Sequence, residues 1–130
     1  MKTIVPAVAR RVLVVDPSPE GRERCIRILE EAGYEAQSAT SVREALRTVA
    51  EEPCGTVLVE ERLPDAPGMS LVRWMRRYKP EVAVIVYSGG ADWDLYERAR
   101  RAGARDVVSK LSPPAELVRS VGRRPAPESR

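Results

Sequence analysis

The sequence predicts an α/β fold: a five-stranded parallel sheet, strand order 2-1-3-4-5, in a three-layer sandwich with helices on both faces. Three observations predict it. Apolar runs such as Val12-Leu13-Val14-Val15, Thr56 to Val59 and Val82 to Tyr87 are continuous rather than alternating, as in strands buried on both faces. Between them lie segments whose apolar residues recur at three-and-four spacing, the stripe of an amphipathic helix. The connections are short and rich in Pro, Gly and Ser, so strand and helix alternate, with the right-handed crossovers that a parallel sheet requires.

Each element has its own signals. Residues 1–10 read as a lead-in, residues 11–121 as one folded domain, and residues 122–130, rich in Arg, Pro and Ser, as a disordered tail. The first strand, Arg11 to Val15, stops on Asp16, and Pro17 and Pro19 exclude its continuation. Ser18 followed by Pro19 reads as an N-cap and first-turn proline. The helix they open is predicted to run to about Ala32, burying Cys25, Ile28, Leu29 and Ala32, with Gly33 as its stop. Tyr34 to Ser38 is less apolar and suits an edge strand. Thr40 or Ser41 caps the next helix, with Glu44 three residues after Ser41 predicting a capping box, and Pro53 closes it.

The central strand, Thr56 to Val59, ends on Glu60 and Glu61, followed by a loop built on Pro64, Asp65, Pro67 and Gly68. A third helix is predicted over Met69 to Tyr78, with Leu71, Val72 and Met75 inward and Arg73, Arg76 and Arg77 solvated. The next strand ends on Ser88-Gly89-Gly90. Asp92 caps a fourth helix that stops at Gly103. Arg105 to Ser109 forms the last strand, with Lys110 at its end, and Ser112-Pro113 opens a short helix reaching about Val121. Five such units suit the flavodoxin-like order 2-1-3-4-5; a (β/α) barrel needs eight.

Composition narrows the chemistry. The 130 residues suffice for one buried core, and 43% hydrophobic with 32% charged residues is ordinary for a soluble domain. No apolar run is long enough to span a bilayer and the N-terminus lacks signal-peptide character, so a cytoplasmic location is expected and a membrane partner is not. Two cysteines do not make a disulfide framework, and Cys25 is read as a small buried hydrophobe. Histidine is absent, which removes His-based zinc sites and Ser–His nucleophile pairs. The net charge of +3 comes from scattered arginines, so nucleic acid is not an expected partner.

In this topology Asp16, Glu60, Ser88 and Lys110 all end strands at one edge of the sheet, where α/β folds place ligands. Three readings are open for them. An acidic pair can hold Mg²⁺. A carboxylate beside a lysine and a hydroxyl can form an acyl phosphate whose oxygens those groups hold. A Glu60–Lys110 ion pair can simply close the edge of the sheet.

The residues at these strand ends, with Pro19, Arg62-Leu63-Pro64-Asp65, Gly68 and Gly103-Ala104 in the same order and spacing, give a multi-point match. From Arg11 to Val121 the chain resembles the receiver domain of bacterial two-component response regulators. The resemblance implies a phosphorelay signalling role in which an aspartate ending the third strand accepts a phosphoryl group. It also implies Mg²⁺ held by an acidic pair after strand one, with a Ser or Thr and a lysine contacting the phosphoryl group. Against that pattern the acceptor position is Glu60, Asp16 is followed by Pro17 instead of a second acid, and Val107 stands where an aromatic reporter is usual.

One extra methylene moves a carboxylate about 1.5 Å outward. Misplacement of that order costs roughly 100-fold in a reaction that is mostly positioning. A degenerate pseudo-receiver is therefore expected: not an enzyme, with no resident cofactor and, at Asp16, only a weak Mg²⁺ site. Its expected work is protein–protein interaction with a signalling protein or output domain, or as a homodimer. The face concerned is that of helix four, strand five and helix five, offering Trp93, Tyr96, Arg101 and Val107, with Val108, Arg98 and Arg105 nearby. The alternatives are a working phosphoreceiver using Glu60 or Asp65, and a small-molecule-binding flavodoxin-like domain. The second lacks a Gly-rich phosphate loop after strand one.

Overall fold

The computed structural model describes residues 6–123. A 3₁₀ turn, Ala7–Arg10, leads into β1 (Arg11–Val15), and there follow α1 (Pro19–Glu31), β2 (Glu35–Ala39), α2 (Val42–Glu51), β3 (Thr56–Val59), α3 (Gly68–Tyr78), β4 (Ala83–Ser88), α4 (Trp93–Ala102), β5 (Asp106–Ser109) and α5 (Pro114–Gly122). All strand pairs are parallel, in the order β2-β1-β3-β4-β5. The predicted class, topology and edge position of β2 hold.

Period-two alternation divides the core into two layers. Leu13, Val15, Val57, Val59, Val84 and Val86 pack with the inward faces of α2, α3 and α4. Val12, Val14, Leu58, Ile85, Tyr87 and Val108 pack with Cys25 and Leu29 of α1 and Leu117 and Val121 of α5. Both layers are apolar, which is why β1, β3 and β4 are continuous hydrophobic runs. Cys25 and Cys54 are buried and unpaired with each other, and burial pushes their thiols up to about 12 and about 11. Neither is a thiolate nucleophile at neutral pH.

Several predicted ends shift. Ser18 accepts a hydrogen bond from the Gly21 amide and Asp92 one from the Leu95 amide, as their cap roles require. Ser41 accepts from the Glu44 amide, but the Glu44 carboxylate receives the Thr40 hydroxyl instead of closing the box on Ser41. Ala32 is exposed: it lies past the last turn of α1, where Gly33 at φ 94° and a Tyr34 amide donating to the Leu29 carbonyl make the reversal. Ser112 does not cap α5, whose N-cap is Pro113. Gly122 belongs to α5, not to the predicted tail; residues 1–5 and 124–130 lie outside the described residues. No helix among the described residues is long and apolar enough to cross a membrane.

Candidate functional site

Parallel pairing continues one residue beyond the strand ends, and this assembles the site. The Glu60 amide donates to the Val15 carbonyl, the Asp16 amide to the Ala39 carbonyl, and the Lys110 amide to the Ser88 carbonyl. Asp16 and Glu60 thus stand side by side at the ends of β1 and β3, and Ser88 and Lys110 at the ends of β4 and β5. All four stand at the C-terminal edge of the sheet, and Asp16, Glu60 and Lys110 meet there through their side chains.

The Lys110 ammonium lies 2.7 Å from Glu60 Oε1 and 2.8 Å from Asp16 Oδ2. Asp16 is 3% exposed, so this contact is made almost out of water. The remaining oxygens are also engaged: Asp16 Oδ1 accepts from the Ser18 amide at 2.9 Å, and Glu60 Oε2 accepts from the Glu61 amide. Ser88 is buried, and its hydroxyl oxygen accepts from the Gly90 amide at 3.3 Å; it is not bonded to Glu60. Burial alone pulls the Lys110 ammonium down, but hydrogen bonds and charge from Asp16 and Glu60 outweigh it and hold its pKa above the ordinary lysine value. The Tyr87 ring centroid, 5.7 Å from Nζ, adds an aromatic face beside the cation.

Close packing makes this corner rigid. A Cβ at Gly21 would stand 2.5 Å from Asp16 Oδ2, and one at Gly68 would stand 2.1 Å from the Glu60 carbonyl oxygen. Both positions need glycine for approach, not for backbone angle. The loop after Glu60 is tied down by the Arg62–Pro67 bridge and by the Gly68 amide donating to the Glu61 carbonyl. Asp65 supplies a tie the sequence did not reveal. Its two carboxylate oxygens accept from the Val42 and Arg43 amides, both at 2.9 Å, so it caps α2. Those amides hold its pKa below the usual carboxylate value. Asp65 is therefore spent on a helix end, away from Lys110 and Ser88. Glu61 makes the last tie, accepting from Arg98 of α4 at 3.0 Å, while Arg98 also pairs with Asp94 at 2.8 Å.

The donor set does not suit Mg²⁺. An ammonium already sits between the two carboxylates, Pro17 offers no side-chain ligand, and every carboxylate oxygen has a partner. Among the described residues no three His, Cys, Asp or Glu side chains gather as a metal site. A concavity of about 1130 Å³ lies at the opposite edge of the sheet, among Arg10, Tyr34, Cys54, Arg76 and Pro80, and none of the four site residues lines it.

The predicted interaction face divides. Trp93 is 73% exposed and stacks on Tyr96, with ring centroids 5.6 Å apart. Arg101 is also exposed. Val107, in contrast, is half-buried against the α2–α3–α4 layer, and Val108 is buried in the other layer. Arg105 turns inward, where Nη2 donates to the Ser120 and Val121 carbonyls and caps the end of α5. Arg98 is occupied by Glu61 and Asp94. Leu111, 86% exposed, adds to the apolar surface at this end of β5.

Residues 12–122 match the response regulator receiver domain model. The chain is 32% identical over 110 residues to the response regulator protein PilR of Pseudomonas aeruginosa, covering 85% of this chain and 24% of that protein. It is 32% identical to the transcriptional activator protein ExaE of Pseudomonas putida over 86% of this chain and 53% of that one. It is 28% identical to the chemotaxis protein CheY of Thermotoga maritima, over 89% of this chain and 98% of that one. The chain thus spans about a quarter of PilR and about half of ExaE, but nearly all of CheY. Among solved structures, a CheY-like receiver domain from Methanospirillum hungatei superposes with a TM-score of 0.79 at 27% identity, covering 86% of this chain and 90% of that one. The beryllofluoride-activated NtrC4 receiver domain dimer does so with 0.80 at 27% identity, covering 86% and 93%.

Proposed function

The chain belongs to the response regulator receiver domain family of phosphorelay signalling, and from that premise we propose that it works without a phosphorylation cycle, as a protein-interaction domain. The observation that carries this reading is the Lys110 bridge. In-line transfer to a carboxylate needs a free oxygen at the right distance and a cation for the incoming phosphoryl oxygens. Here the acceptor position is Glu60, one of its oxygens is held by Lys110 and the other by the Glu61 amide. The lysine is neutralised by Asp16 as well. The domain supplies from its own side chains a standing arrangement of charge where a phosphoryl group and a metal would otherwise act. Asp65, the other candidate acceptor, has both oxygens on the α2 amides.

On this reading the domain is not an enzyme, works in the cytoplasm, and presents Trp93, Tyr96, Leu111 and Arg101 to a signalling partner, an output domain or a second copy. The Glu61–Arg98 contact supports it by tying the loop after Glu60 to the helix that carries the aromatic pair. The NtrC4 receiver is a dimer, which makes self-association one form of that interaction. The test is an amide NMR spectrum recorded with and without beryllofluoride and Mg²⁺. The expected result is no shift at Ser88, Gly89, Lys110 or the α4 amides. Saturable shifts at those positions would overturn the proposal.

A further inference from the structure

The outer face of α3 holds a feature that the carboxylate–lysine site does not use. Met69, Leu71, Val72 and Met75 face the core, while Arg73, Arg76 and Arg77 are exposed and Lys79 stands at the C-cap. No acidic residue occurs from Gly68 to Lys79. Among the described residues none of these four cations forms an ion pair; Arg10, Arg27, Arg43 and Arg47 also form none, and what sets α3 apart is that its cations are gathered on one helix with no acid among them.

An aromatic pair borders the cations. The Trp74 and Tyr78 ring centroids are 5.1 Å apart, Tyr78 is 58% exposed, and the Arg77 guanidinium carbon lies 5.6 Å from the Tyr78 ring centroid. The stem of Arg76 lies against Gly103, where a Cβ would meet it at 2.9 Å. The basic strip therefore reaches the end of α4, where Arg100 and Arg101 are exposed.

The helix dipole favours Arg76 and Arg77 in the last turn, but it gives no reason for Arg73 or for an aromatic ring left in water beside them. We infer that this face of α3 docks an acidic helical segment of a partner protein. Guanidinium groups at positions 73, 76 and 77 follow the three-and-four spacing of one helix face and can pair with carboxylates spaced the same way on another. Tyr78 then offers the apolar contact that an ion-pair row lacks. A nucleic acid fits less well. Trp74 is packed against the core, so only one ring is free to stack on a base, and the chain's net charge is only +3. The inference goes beyond the carboxylate–lysine site and does not depend on it, so a phosphorylatable Glu60 would leave it standing.

The test is fluorescence anisotropy with a labelled helical peptide carrying glutamates at three-and-four spacing and one leucine. The expected result is salt-sensitive binding that weakens at least about tenfold in Arg73→Glu/Arg77→Glu. The charge-matched control Arg10→Glu/Arg27→Glu, on exposed positions elsewhere, is expected to bind as the wild type does. Absence of binding, an equal loss in the control, or tighter binding of a single-stranded oligouridine would each overturn the inference. So would a dimer, seen by sedimentation, that the α3 variant alone dissolves.

Discussion

Lys110→Met is expected to destabilise the domain by about 3 kcal/mol, read as a loss of roughly 10 °C in Tm. The substitution keeps much of the stem's volume and removes the cation that bridges Asp16 and Glu60. Asp16 is buried, so its carboxylate is left with one amide partner and a like charge beside it. The pH dependence has a definite sign. Because the folded pKa of Lys110 is raised, its stabilisation is complete below the ordinary lysine value and is lost only as pH rises through the folded one. The gap between wild type and Lys110→Met should therefore stay constant through neutral pH and, on the alkaline side, narrow only in strongly alkaline solution. Thermal unfolding followed by circular dichroism over a pH series measures both effects.

Gly68→Ala is expected to cost about as much, roughly 3 kcal/mol, for a different reason. The new methyl would meet the Glu60 carbonyl oxygen at 2.1 Å, and that oxygen belongs to backbone that cannot swing aside. Relief requires the start of α3 and the end of β3 to separate, which moves Glu60 off Lys110. Gly89→Ala is the matched control, since nothing lies within 4 Å of a Cβ there. Denaturant titration should show a lower midpoint for Gly68→Ala and little change for Gly89→Ala.

How much of this was legible in the sequence follows from the range of the forces involved. β1, β3 and β4 were readable because burial on both faces leaves no polar alternation to misread. Ser18, Ser41 and Asp92 were readable as caps because a cap bonds an amide three residues away. The meeting of Asp16 and Lys110, 94 residues apart, followed from topology, since parallel strands place all their C-terminal ends at one edge.

Asp65 was not readable as a cap. Its amides lie 22 and 23 residues back along the chain, and nothing near Asp65 marks them. Val108 is buried in the α1–α5 layer and Val107 is half-buried against the other, because even a short edge strand packs side chains on both of its faces. Arg105 reads in the sequence as a surface charge, but a long cation turns inward when helix-end carbonyls wait for it, and Ser120 and Val121 supply them. The cationic side of α3 was visible as solvated arginines, but their lack of ion pairs needed coordinates.

The central claim is that Glu60, held by Lys110 and the Glu61 amide, does not accept a phosphoryl group. Intact mass after incubation with acetyl phosphate and Mg²⁺ tests it most directly. The account predicts an unchanged mass for the wild type. A stoichiometric gain of one phosphoryl group that disappears in Glu60→Ala would contradict it.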